Sequence, residues 1–174
     1  MAAALFRAVA GADDEGVTVS SVGLLEGGHL VSPEAVKALA PYGLDLGPHC
    51  STAIDPEVVA GADLVLGLER RHGREAVLLA PSAWSRTFTL KELVRRGEKV
   101  GPRLRGRSLG DWLAAVGEGR ERSDLVGSSP EDDVADPLGG DAAAYRATAS
   151  ELADLVQRLA HLLWPDAPAA APDS

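Results

Sequence analysis

The chain has a single cysteine, Cys50, and a single methionine among its 174 residues. No disulfide can close within it, and no cysteine-based zinc site has its ligands. Such a thiol inventory suits a reducing, cytoplasmic setting. Aromatics are also scarce, with two Phe, two Tyr and three Trp. The apolar share comes mainly from Ala, Leu and Val, so helices are favoured over an all-β fold. No stretch approaches the ~18 apolar residues of a membrane span. The Ala-rich start lacks a basic leader and Arg7 interrupts it, which excludes a signal peptide. Positive charge is in deficit: the net charge is −9. A general nucleic-acid binder needs a basic face to displace counterions, so that class is excluded.

One segment departs from the acidic average. Lys91, Arg95, Arg96, Lys99, Arg103, Arg105 and Arg107 crowd together with only Glu92 and Glu98 among them. It reads first as a solvated helix face and loop, and alternatively as a patch that steers anions.

The length fits one compact domain, here residues 1–164, followed by a Pro- and Ala-rich tail, 165–174, expected to be disordered. Residues 2–10 read as a helix with no capping residue ahead of it. Val17 to Ser21 reads as a strand. Ser32 and Pro33 open a second helix. Leu44 to Ser51 reads as a short strand or an extended link, and Asp55-Pro56 starts a further helix. Ala62 to Leu68 is the clearest buried strand, a short apolar run before a new helix over Arg70–Leu79. Ala83 to Phe88 is expected to be extended. Leu90–Arg96 and Leu109–Val116 are expected to be helical, the latter carrying Trp112 inward. Gly117 to Gly140 is a long polar loop of the kind that tends to be functional or disordered. Asp141 caps the last helix, in which Tyr145, Ala149, Leu152, Val156, Leu159 and Leu163 share a face. Strands alternating with helices predict an α/β fold with a parallel sheet covered on both faces.

Self-contained catalytic motifs are missing. There is no Walker loop, dinucleotide glycine fingerprint or HExxH. His29, His49, His72 and His161 have no metal-ligand spacing, so no metal or cofactor is expected. Each reads as a surface or hydrogen-bonded structural residue. A cysteine phosphatase needs Cys-x5-Arg, because loop N–H groups and the Arg fork surround the phosphate and hold the thiolate. The residue at the Arg place after Cys50 is Pro56, so Cys50 is not that nucleophile; a buried, inert thiol is its expected role. The remaining candidate is Asp136 in Asp132-Asp133-Val134-Ala135-Asp136-Pro137-Leu138. A carboxyl before proline is projected from extended backbone. Beside a bound anion its protonated form is favoured, and it could then donate a proton to a leaving oxygen.

Several segments, in order, resemble low-molecular-weight protein tyrosine phosphatases. They are Ala3-Ala4-Leu5-Phe6-Arg7, Val19 to Leu24, Pro33-Glu34-Ala35-Val36, Gly43 to Leu46 with His49, Ala62 to Leu66, Arg86 to Leu90, Asp132 to Pro137, and Tyr145. The resemblance implies a three-layer sandwich with a short parallel sheet flanked by helices. It also implies that the family's first central strand and its Cys-x5-Arg loop would lie upstream of Met1. By the same resemblance Asp136 is the general acid, Ser21 and His49 buttress the phosphate loop, and Leu138 sits on the substrate-pocket rim where an aromatic is common. No residue of this chain matches the nucleophile or the phosphate-binding Arg. Val22 stands where Ala or Gly is usual. The implied complete form hydrolyses phosphotyrosine or phosphoarginine on a protein substrate through phosphocysteine, without cofactor, nucleic acid or membrane. The chain as given is expected to be inactive and poorly stable. A partner-binding pseudophosphatase is the alternative. An arsenate reductase ranks below it, since thiol relays need further cysteines.

Overall fold

The computed structural model describes residues 1–10, 16–47 and 49–165. The expected tail therefore lies almost entirely outside the described residues. The architecture is α/β, with helices flanking a short parallel sheet. Strand β1 (Val65–Gly67) pairs in parallel with β2 (Thr87–Thr89), Leu66 opposite Phe88, and helix α4 (Arg70–Leu79) makes the crossover.

The local signals that start the helices are read directly from side chains. Ser32 Oγ accepts the Ala35 N–H at 3.3 Å and opens α2 (Pro33–Leu39). Asp55 accepts from Glu57 and Val58 at the start of α3 (Pro56–Gly61). Thr89 caps α5 (Leu90–Val100) and Ser108 caps α6 (Leu109–Val116). Asp141 Oδ1 accepts two N–H groups, each at 2.9 Å, to begin α7 (Ala142–Leu163). Each such cap satisfies backbone donors that the first helical turn leaves unpaired.

Helix α7 is the hub. It packs on α1 (Ala2–Ala10), α2 and α5, and its Leu152 and Leu159 are wholly buried with Phe88, Leu93, Val94 and Trp112. Trp112 points inward as expected and donates Nε1–H to the Gly101 carbonyl at 2.9 Å. Gly97 makes this packing possible: a Cβ there would sit 2.9 Å from Leu162 Cδ1 and 3.1 Å from the Trp112 ring. A smaller cluster of Val59, Ala76, Ala80 and Ala83 holds α3 against α4.

Three sequence expectations are corrected. Val17 to Ser21 forms no strand. Val17 and Val22 are exposed, so the segment buries no apolar face, and Arg7 occupies the Val19 carbonyl. The chain instead makes an isolated parallel bridge at Gly23–Ala53 and an antiparallel one at Leu30–Cys50. Residues Pro81–Arg86 wind into a 3₁₀ turn with proline at its start, leaving only three residues extended. The stretch Ala62 to Leu68 contributes a strand of three residues, and Val65 and Leu66 are half-buried rather than enclosed.

Candidate functional site

The loop that leads to Asp136 is anchored by several side-chain and backbone contacts. Asp132, with a side chain only 7% exposed, accepts Arg70 at 2.7 Å and Arg95 at 2.6 Å. Asp133 Oδ1 accepts the Arg70 N–H at 2.7 Å, and Oδ2 the Ser129 N–H at 2.8 Å. The Val134 N–H donates to the Leu68 carbonyl at 2.8 Å, which ties the loop to the end of β1. Lys91 donates to the Asp133 carbonyl and pairs with Glu151, while Thr148 Oγ1 donates to the Ala135 carbonyl. The end of β1, α4, α5 and α7 thus hold the loop up to and including Ala135.

These contacts also settle the basic cluster. Lys91 and Arg95 clamp the acid loop, Arg96 pairs with Glu92, and Arg103 and Arg107 donate to backbone carbonyls. Most of the cluster is committed to the fold, which leaves little of either a solvated face or a steering patch.

Asp136 follows this anchored stretch and is exposed. Its Oδ1 accepts the Leu138 N–H at 3.0 Å, which fixes the side chain over the turn that Gly139 completes at φ 82°. It lines a cavity of about 320 Å³ that gathers Met1 ahead of α1, Ser32 ahead of α2, Glu69 and His72 of the β1–α4 junction, and Tyr145 of α7. Leu138 lies on the same cavity and is 73% exposed. Ser21 and His49 do not line it. Both are half-buried, and among the described residues neither side chain makes a hydrogen bond. Cys50, expected to be buried, is exposed in its bridge with Leu30.

Three residues of the site escaped sequence reasoning. Glu69 and Arg71 pair at 2.8 Å on the cavity wall. His72 lines the cavity while its Nδ1 accepts the Glu69 N–H at 3.2 Å, the return half of a capping box. Burial lowers the His72 pKa from its ordinary value, against the carboxylates of Glu69, Asp136 and Asp133, which raise it; Arg71 adds to the lowering. The usable signal was position: a side-chain acceptor three residues after Glu69, at the end of a strand.

Among the described residues β1 pairs only with β2, and Leu64, Leu66 and Leu68 remain half-buried. A model of the family described as low molecular weight phosphotyrosine protein phosphatase matches residues 1–101. The chain belongs to that family. The protein-arginine-phosphatase of Bacillus subtilis (strain 168) is 28% identical over 167 residues, spanning 95% of this chain and 89% of that protein. Among solved structures, a low molecular weight protein tyrosine phosphatase from T. tengcongensis superposes with a TM-score of 0.65 at 29% identity, covering 91% of this chain and 86% of that one. A YwlE arginine phosphatase mutant with a phosphorylated active-site serine superposes with a TM-score of 0.68 at 28% identity, covering 95% and 87%. The chain is thus built on the scaffold of a phosphatase family. Among the described residues no helix is long and apolar enough to cross a membrane, and no group of His, Cys, Asp and Glu could hold a metal.

The anchoring of the loop ahead of Asp136 has a pH signature. Burial pushes the Asp132 carboxyl up, but the hydrogen bonds and charges of Arg95 and Arg70 together outweigh it and hold it below the usual aspartate value. A carboxyl depressed on folding contributes stability that is fully present above its unfolded pKa of about 4 and is lost as pH falls through the lower folded value. Asp132→Asn should therefore cost about 1–3 kcal/mol at pH 7. That gap should narrow steadily in urea melts taken from pH 5 down to pH 2. A gap that stays constant with pH would remove Asp132 from this role.

Proposed function

We propose that this chain is the scaffold and acid loop of a cytoplasmic protein phosphatase, with residues 1–164 as its domain and Asp136 as its general acid. The observation that carries the reading is the cavity itself. It gathers Asp136 with Met1 at the front end of α1 and with the half-buried Leu68 that follows β1. A Cys-x5-Arg loop set there would face the acid across a bound phosphate.

The chemistry then balances without a cofactor. A thiolate attacks phosphorus, the P–O or P–N bond breaks, and Asp136 gives its proton to the leaving atom. Water next attacks the phosphocysteine, its proton returns to Asp136, and inorganic phosphate and thiolate are released. Ser21 and His49 would buttress the phosphate loop. The substrate is a phosphorylated protein. Leu138 at the rim offers no ring for a phosphotyrosine to stack on, and the name of the Bacillus subtilis relative supports phosphoarginine.

The 174 residues contain no Cys-x5-Arg. The chain by itself is expected to show no turnover of p-nitrophenyl phosphate, and a version with a family Cys-x5-Arg segment joined ahead of residue 1 is expected to gain it. Turnover by the unmodified chain that Cys50→Ser abolishes would overturn this assignment. Arsenate reduction in the joined version would move the protein to the reductase class. The missing motif also favours a second reading, a pseudophosphatase that binds a protein partner; a joined version that stays inactive while folded would support it.

A further inference from the structure

We propose that Tyr145 is a positioning residue for the phosphate loop of the completed site: its phenol is held in the cavity as a hydrogen-bond donor to a backbone carbonyl of the segment ahead of Met1. The inference rests on the reading of the cavity given above and adds a support for the loop to the acid, Asp136.

Tyr145 lies near the start of α7 and is only 5% exposed. With Thr148 and Leu152 it forms one face of the helix, and all three line the cavity. The Thr148 hydroxyl is committed, since it donates to the Ala135 carbonyl at 3.2 Å. The Tyr145 hydroxyl is not. Among the described residues it makes no hydrogen bond, yet its oxygen is not one of the polar atoms sealed inside the protein without a partner. It therefore opens on the cavity that the ring lines. A buried phenol ordinarily finds a partner, because leaving the bond unmade costs the desolvation of the group.

Ser32 puts a second donor on the same wall. Its Oγ accepts the Ala35 N–H at 3.3 Å, which leaves the hydroxyl proton free to give. Met1 lines the cavity too, so a segment joined ahead of it starts there. A loop that turns its N–H groups inward on a phosphate turns carbonyls outward on its support. Such a support must donate, and a neutral hydroxyl does so without adding a charge behind the anion.

The test is Tyr145→Phe, which removes the oxygen and keeps the ring, made in two proteins. In the 174-residue chain it is expected to leave the urea midpoint unchanged, because no bond is lost. In the version with a Cys-x5-Arg segment joined ahead of residue 1 it is expected to lower the midpoint by about 0.3–1 M. In that version inhibition by inorganic phosphate should weaken by about 5–30-fold. The pH at which the loop cysteine becomes alkylated by iodoacetamide should rise by about 0.5–1 unit, as the loosened loop holds the thiolate less well. A ring that only packs predicts none of these. An equal loss in both proteins, no added loss in the joined one, or phosphate inhibition indifferent to Tyr145→Phe would overturn the proposal. The midpoints read the hydrogen bond whether or not the joined version turns substrate over, so a joined version without activity sinks the reading of the site and not this inference.

Discussion

Arg120→Ala should cost the fold about 2–4 kcal/mol, short of the full cost of stranding a buried charge because Arg96 still pairs with Glu92. The Arg120 side chain is 2% exposed and that of Glu92 is 5%. The fork is bidentate: Nε to Oε1 at 2.7 Å and Nη2 to Oε2 at 3.1 Å. Nη2 also donates to the Thr87 carbonyl of β2 at 2.8 Å. The guanidinium lies 3.9 Å from the centre of the Phe88 ring and 4.4 Å from that of Trp84. A single side chain from the polar loop after α6 therefore fastens β2, α5 and two aromatics together. Alanine removes the hydrogen bonds and the packing of the long stem, and leaves Glu92 with Arg96 as its remaining ion-pair partner.

The pair itself need not be net stabilising, because taking two charges out of water costs nearly what their attraction returns. Glu92→Leu combined with Arg120→Met should therefore be far milder than the sum of the single changes. Urea melts of the four proteins form the cycle that measures it. A single Arg120→Ala loss under about 1 kcal/mol, or strictly additive changes, would show that this fork is not what secures the sheet.

The helices were legible because their causes are local. Ser32, Asp55 and Asp141 each cap the helix that the sequence assigned to them, and α4 and α6 run over the residues expected. The sheet was less legible because pairing is decided at long range. Val17 to Ser21 has strand-forming residues, yet nothing in that run shows that Arg7 takes the Val19 carbonyl. Glu92 and Arg120 are 28 positions apart, and neither signals its partner. The basic cluster was misjudged for the same reason, since its partners Asp132 and Glu151 lie in other elements. The Asp-Pro motif singled out Asp136 as a candidate, but composition could not show how firmly Asp132 and Asp133 hold the loop ahead of it. His72 was passed over because a lone histidine has no metal spacing, and its place three residues into a helix went unused.

In the version supplied with a Cys-x5-Arg loop, Asp136→Asn is expected to slow phosphoenzyme formation by about 10²–10⁴-fold for substrates whose leaving group is a poor one. An amide has no proton of suitable acidity to give, so the leaving atom must depart as an anion. The penalty should shrink toward nothing for p-nitrophenyl phosphate, whose leaving oxygen is stable without a proton. Asparagine preserves the turn, because its Oδ1 can still accept the Leu138 N–H that Asp136 accepts at 3.0 Å. The side chain is exposed, so stability should change by no more than about 0.5 kcal/mol. That separates a chemical loss from a folding loss. Measured as burst rates over a series of aryl phosphates, wild-type rates should depend weakly on leaving-group pKa and Asp136→Asn rates steeply. Two parallel lines would remove Asp136 from the acid role, whatever the size of the gap between them.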